Sequence, residues 1–402
     1  MQRPDEILTF PYKHVDGNPV LLDVYLPTSP PLHLLSSKEK PREHHTISVP
    51  AVVYFHGGGL TVGNRRSWFP AWMQKRISGL GYIFICADYR LMPPATGHAI
   101  LADIKDVFKF VSEDLNRHLE KRQGAIRVNG DATMLENSGA DTTTLNHVPT
   151  FHVDSGALAV AGTSAGGLCA YLAAVHASPK PKAVASLYAM GGKFLTAHYL
   201  TPKTKPFLRG REILDPNLFS QYLYPFNGLL PTSDSPLSYH PPTSPTPGYP
   251  ANDRMLIGRL QLQLGVVLDY YTGEHEPSLS AFLRERLASL LDNSTPPAQS
   301  DDLQSLIPAK HIEIFPEFNV SSDWPPTCLV HGTKDTAVPP QESLHMYGLL
   351  KKAGVEVTMM NVEGKEHSFD YEPNADVIHE REFDMIVEFL HRQLDKGREI
   401  VV

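Results

Sequence analysis

Cysteine is scarce. The chain has three, Cys86, Cys169 and Cys328, in 402 residues. The count is odd, each lies in an apolar stretch, and no C-x-x-C occurs, which argues against a disulfide framework or a thiolate metal site. Positive charge is also in deficit. Lys and Arg number 36 against 44 acidic residues, a net of −8. A nucleic-acid binder would carry a basic stripe, so none is expected as partner. No apolar run approaches the roughly 20 residues that a membrane span needs. The first residues lack a basic segment followed by an apolar one, so a cytoplasmic location is expected. H-E-x-x-H and G-x-x-x-x-G-K-[ST] are both missing, so neither metal nor nucleotide cofactor is expected.

Proline is plentiful, at 35 residues against a usual share near ~5%. Eleven of these lie between Pro202 and Pro250, where neither a long helix nor a central strand would tolerate them. Elsewhere short, continuously apolar runs alternate with helical periodicity. Residues 6–12 and 19–26 read as strands around the Asp16-Gly17-Asn18 turn. Residues 51–55, 82–87, 157–161, 183–189, 327–330 and 355–362 read as strands, most with the look of burial on both faces. Helical spacing marks 99–118, 168–176, 341–353 and 375–394. Residues 28–50 read as a polar loop and 123–154 as a surface excursion. This pattern predicts a mostly parallel sheet with helices on both faces. The core comprises 1–192 and 320–402, interrupted by an insertion at 193–319 that includes helices over 254–271 and 278–291.

In such sheets chemistry gathers at loops beyond the carboxyl ends of the strands. Four loops stand out. Gly162-Thr163-Ser164-Ala165-Gly166 is a G-x-S-x-G between a strand and a helix. A serine on so tight a turn needs neighbours without side chains, and the turn puts its hydroxyl at a helix N-terminus. His56-Gly57-Gly58-Gly59 follows a buried strand, and its glycines let main-chain N–H groups approach a ligand. Gly58, Gly59 and Ala165 are the candidate donors to a developing oxyanion; His56 reads as a brace for its loop. Asp335 and His367 each follow a later strand, so the order Ser164, Asp335, His367 is that of a nucleophile-elbow hydrolase. His331 stands as an alternative base, and Glu363, Glu366 and Asp370 as alternative acids.

The set resembles the α/β-hydrolase fold, and within it the hormone-sensitive-lipase-like serine esterases. His56–Gly59, Gly162–Gly167 and the Asp88-Tyr89-Arg90 stretch carry the resemblance. The loop at 332–339 is closer to the acid loop of related esterases and oligopeptidases. The resemblance implies Ser164 as nucleophile, His367 as base, Asp335 as its acid, and Gly58, Gly59 and Ala165 as the oxyanion hole. Asp88 and Arg90 would be structural. The activity implied is hydrolysis of small carboxylic esters with apolar acyl groups through an acyl-enzyme, without a cofactor. Acyl transfer, lactone or amide cleavage, or a receptor of the same fold are the alternatives. The insertion would form a lid, and Phe219, Tyr222, Tyr270 and Tyr271 are candidates for lining a substrate pocket beneath it. Oligomeric state is left open by the sequence.

Overall fold

The computed structural model describes residues 7–31, 46–124, 150–292 and 303–396. Eight strands form one sheet: β1 (Ile7–Val15), β2 (Asn18–Tyr25), β3 (Thr46–Phe55), β4 (Ile83–Ala87), β5 (Thr150–Thr163), β6 (Val184–Leu187), β7 (Thr327–Gly332) and β8 (Val357–Val362). Their spatial order is β1-β2-β4-β3-β5-β6-β7-β8. The β1–β2 and β2–β4 pairs are antiparallel and every other pair is parallel. From β3 the chain steps outward to β4, then returns to the other side of β3 as β5. That reversal opens a crevice beyond the ends of β3 and β5, where sheets of this type bind ligands.

Alternation along β3 builds two cores. Val53 and Phe55 face one side and Val52 and Tyr54 the other, as the two-residue period of a strand requires. On the first face lie α2 (Gly97–Glu113) and α3 (Ala165–His176). On the second lie α1 (Ala71–Gly79) and α8 (Glu380–Asp395), joined by Trp72 stacked on Phe383 at 3.9 Å between ring centroids. The remaining long helix of the core, α7 (Gln341–Lys352), links β7 to β8.

Between β6 and β7 the strand–helix rhythm stops. The segment holds α4 (Arg254–Leu264), α5 (Val267–Thr272) and α6 (Leu279–Asp292). The single helix expected over 254–271 is two, because Gly265 takes φ 66° and ends α4 with a left-handed residue, a conformation natural to glycine. The helix expected over 375–394 also breaks, at His379. Strand β3 begins at Thr46, inside the stretch read as loop, because its early residues pair with Thr150–Val153. For the same reason 150–154, the end of the expected excursion, is strand; residues 125–149 lie outside the described residues. Helix α1 gave little periodic signal in the sequence, since only Trp72, Met73 and Ile77 of its nine residues are buried.

Asp88 and Arg90 hold the framework. Asp88 accepts from the Arg65 backbone N–H at 2.5 Å and from its guanidinium at 2.7 Å. Arg90 grips Asp103 of α2 at 2.8–3.0 Å.

Candidate active site

Ser164 sits between β5 and α3 with φ 55° and ψ −119°, a backbone state that costs a non-glycine residue roughly 1–3 kcal/mol. The surroundings hold it there. Its N–H donates to the Leu187 carbonyl at 3.0 Å, and its carbonyl accepts from Gly167 at 3.0 Å and Met190 at 3.2 Å. The flanking glycines are required sterically. A Cβ on Gly162 would lie 2.1 Å from the Gly166 carbonyl oxygen, and one on Gly166 would lie 2.0 Å from that of Phe55.

The Ser164 hydroxyl meets His367 Nε2 at 2.9 Å. On the other side of the ring, His367 Nδ1 lies 2.6 Å from Asp335 Oδ2. A carboxylate only accepts, so Nδ1 carries the proton and Nε2 is free to accept from the serine. Asp335 is buried at 5% exposure. Burial pushes its carboxyl up, but hydrogen bonds from His331 and His367 and the Val338 N–H outweigh this and hold it well below the usual range. Oδ1 accepts from the Ala337 and Val338 N–H groups, each at 2.9 Å. The edge of Tyr188 packs on the His367 ring, with centroids 4.6 Å apart.

The alternatives occupy other places. His331 is fully buried behind Asp335, with Nε2 3.2 Å from its carboxylate and 2.9 Å from the Val338 carbonyl, and Nδ1 2.7 Å from Ser343. Glu366 accepts from the Thr336 hydroxyl at 2.8 Å and from the Thr336 and His367 N–H groups at 3.1 Å, tying the two loops together. Asp370 accepts from Tyr188 and from Trp72 Nε1, and burial pushes it up to about 6. Glu363 is exposed in the turn after β8.

The glycine loop lies against the serine turn: a Cβ on Gly57 would sit 3.3 Å from the Thr163 carbonyl oxygen. Gly58 and Gly59 take φ 106° and 61°, and a Cβ on Gly58 would meet the Val62 carbonyl oxygen at 2.1 Å. Its carbonyl accepts from Thr61 and Val62, which closes the turn. Among the described residues no protein acceptor takes the N–H of Gly58, Gly59 or Ala165. His56 braces the loop, with Nδ1 2.7 Å from the Gly57 carbonyl and its ring stacked on Tyr89 at 4.5 Å. Burial pushes it down to about 4, so it is neutral.

A cavity of about 230 Å³ opens on Ser164, His367 and the glycine loop. Its walls include Trp68, Met190, Tyr199, Leu208, Met255 and Leu262, together with the polar His198, Arg259 and Gln261. None of these was singled out in the sequence. The helix α4 contribution, Met255, Gly258, Arg259 and Leu262, follows the i, i+3, i+4, i+7 spacing of one helix face; the richer apolar signal of the opposite face masks it. That opposite face, Leu256, Ile257 and Leu260, packs with Leu214 and Phe219.

This corrects the pocket expectation. Phe219, Tyr222, Tyr270 and Tyr271 do not line the cavity. Each is engaged within the inserted segment or against the core. Tyr222 lies under the Arg254 guanidinium at 5.3 Å, and Tyr270 accepts from the Tyr224 N–H at 2.9 Å. Tyr271 donates to the Ile314 carbonyl, and its ring presses on Gly97 at the start of α2.

Comparison with known proteins agrees with this architecture. A family model described as alpha/beta hydrolase fold matches residues 52–237, and one of the prolyl oligopeptidase family matches 277–397. The chain has the α/β-hydrolase fold. Among solved structures, this chain is similar to an alpha/beta hydrolase superfamily protein from Enterococcus faecalis, with TM-score 0.53 and 14% identity, over 96% of this chain and 100% of the other. It also resembles the native form of a thermophilic esterase, Est2, from Thermogutta terrifontis, with TM-score 0.50 and 16% identity, over 98% and 95% of the two chains. In sequence it is 29% identical over 108 residues to a probable carboxylesterase, M8, from Phoma sp., covering 26% of this chain and 30% of that protein. It is 23% identical over 378 residues to the non-reducing polyketide synthase Preu6 from Preussia isomera, covering 91% of this chain and 14% of the synthase. The chain thus aligns with less than a third of the length of the curated relatives it matches. Among the described residues no helix is long and apolar enough to cross a membrane.

Proposed function

We propose that this chain hydrolyses carboxylic esters through an acyl-enzyme on Ser164. The observation that carries the reading is the unbroken hydrogen-bonded series from Ser164 Oγ through His367 to Asp335, set on a strained turn at a helix N-terminus. His367 takes the proton of Ser164 as the hydroxyl attacks the ester carbonyl. Asp335 fixes the imidazole tautomer and stabilises the cation that forms. The N–H groups of Gly58, Gly59 and Ala165 receive the oxyanion, each worth about 3 kcal/mol where such a donor has been removed from an enzyme. His367 then passes its proton to the leaving alcohol. Water, deprotonated by His367, releases the acid and restores Ser164. The segment 193–319 acts as a lid within one catalytic domain whose halves are 1–192 and 320–402. Small to medium acyl groups suit the apolar part of the cavity wall.

A fluorophosphonate tests this directly. It should form a stoichiometric adduct on Ser164 and abolish hydrolysis of 4-nitrophenyl acetate. Ser164→Ala should escape labelling and lose activity by about a thousandfold or more. Retention of activity within tenfold would end the assignment.

The alignment with polyketide synthases along 91% of the chain favours a second outcome from the same intermediate, with the acyl group drawn from a polyketide and resolved by an alcohol or amine. Product analysis with added acceptors separates the two: only free acid with every acceptor excludes transfer.

A further inference from the structure

The wall opposite the triad is not uniformly apolar. Arg259 presents the cavity with its one permanently charged lining side chain, and no Asp or Glu is among the lining residues. Arg259 forms no ion pair: among the described residues no carboxylate oxygen lies within 4 Å of its guanidinium. Its Nε is buried without a hydrogen-bond partner. The charges nearest in effect are Arg211, of the same sign, and Glu212, and the guanidinium donates to the Tyr249 hydroxyl, a neutral acceptor. A buried donor without an acceptor costs roughly 1–3 kcal/mol, and the side chain that carries this one lines the cavity.

The neighbouring titratable groups bring no second free cation to this wall. His198 lines it too, but burial pushes it down to about 4, so it is neutral, and its Nε2 is likewise buried without a partner. The Lys203 ammonium is engaged with the His198 and Leu262 carbonyls, at 2.9 Å for the latter. Helix α4 is held close to the glycine loop because Gly258 lies across from Gly59: a Cβ on Gly59 would be 3.8 Å from Gly258 Cα. Arg259 therefore belongs to the same chamber as the oxyanion donors.

We propose that Arg259 binds a carboxylate carried by the substrate, so that the preferred ester is a half-ester of a dicarboxylic acid. The planar guanidinium matches a carboxylate's two oxygens. The apolar wall of Met190, Leu208 and Leu262 accommodates the short chain between the two ends. This rests on the esterase reading above and adds to it the class of substrate.

The test compares monoethyl esters of diacids from malonate to adipate, each with its neutral amide analogue in place of the free acid. At the best chain length the charged ester should show kcat/KM at least about tenfold above its amide, the scale of one charge-assisted hydrogen-bonded pair. In Arg259→Gln that ratio should fall to near one, and Arg259→Lys should recover part of it. A ratio near one at every length in the wild type, or an unchanged ratio in Arg259→Gln, overturns the inference. Should the variant fail to fold, wild-type inhibition decides. Free glutarate should compete with 4-nitrophenyl acetate at about tenfold lower concentration than glutaramide, and equal inhibition overturns the proposal. Hydrolysis of 4-nitrophenyl acetate that depends on Ser164 keeps the two readings separable. With it intact and no carboxylate preference, only this inference falls; without it, the esterase reading falls first.

Discussion

Glu342 offers a pH-dependent stability test beside the active site. It lies at the start of α7, 2% exposed, accepting from the Tyr199 hydroxyl and from the Gly192 N–H at 3.0 Å. Burial pushes its carboxyl from an ordinary 4.5 up to about 8; the hydrogen bonds from Tyr199 and Gly192 oppose this, and the charge of Glu317 adds to it. Because the folded value is the higher one, the acid's contribution to stability is complete below about pH 4.5 and is lost as pH rises toward 8. The loss is about 1.4 kcal/mol for each pH unit in that window. From pH 5 to pH 8 this is of order 3 kcal/mol. Glu342→Gln replaces the neutral acid with a non-titrating isostere. Its amide oxygen keeps the Gly192 bond and its NH₂ donates to the Tyr199 oxygen, so at pH 5 the two proteins should melt together. By pH 8 the variant should melt several degrees higher, with the gap growing steadily through the window. Differential scanning fluorimetry at half-unit steps measures this. A gap that is constant with pH, or one that shrinks on raising pH, refutes the reasoning.

Asp335→Asn should fold, since the amide oxygen can still accept from the Ala337 and Val338 N–H groups. Its kcat on 4-nitrophenyl acetate should fall by about 10³–10⁴ with KM changed little, because the amide NH₂ favours the wrong imidazole tautomer; a loss under tenfold would show that Asp335 does not orient the base. Gly166→Ala should destabilise by about 3 kcal/mol or more and abolish labelling of Ser164, since its Cβ would collide with main chain of β3 at 2.0 Å. A wild-type melting temperature with normal labelling would contradict that packing.

The parts of the site that are local in sequence were legible in the sequence. Each of the four loops carries glycines or a titratable residue directly after an apolar run, and a parallel sheet brings such loops to one edge whatever their separation along the chain. The meeting of Ser164, Asp335 and His367 follows from the order β5, β7, β8 at the sheet's end. The cavity wall was not legible. Helix α4 has two functional faces, and its strongest hydrophobic face turns away from the site into a small core with Phe219. A hydrophobic pattern reports burial and is silent about what a face is buried against. The aromatic residues of 219–271 were conspicuous for the same reason, and packing within the segment and onto α2 absorbs them. The first half of β3 was hidden in a polar stretch, where its pairing with Thr150–Val153 overrides the local composition.

The two glycine-rich loops are better understood as one unit than as two motifs. Gly162 and Gly57 exchange no side chains, yet β3 and β5 run in register so that Phe55 lies opposite Gly162. The residues that follow must therefore pass each other at backbone distance. Gly166 permits contact with the Phe55 carbonyl and Gly57 with that of Thr163. The strain at Ser164 is thus supported from the neighbouring strand as well as from its own turn. The Gly58, Gly59 and Ala165 N–H groups are each without a protein acceptor among the described residues. A donor held open in this way cannot relax onto a carbonyl of its own chain, because the glycine turn is already closed through the Gly58 carbonyl by Thr61 and Val62. The geometry of the two loops is consequently a property of strand register, and His56 and Tyr89, buried and stacked on each other, brace it from behind.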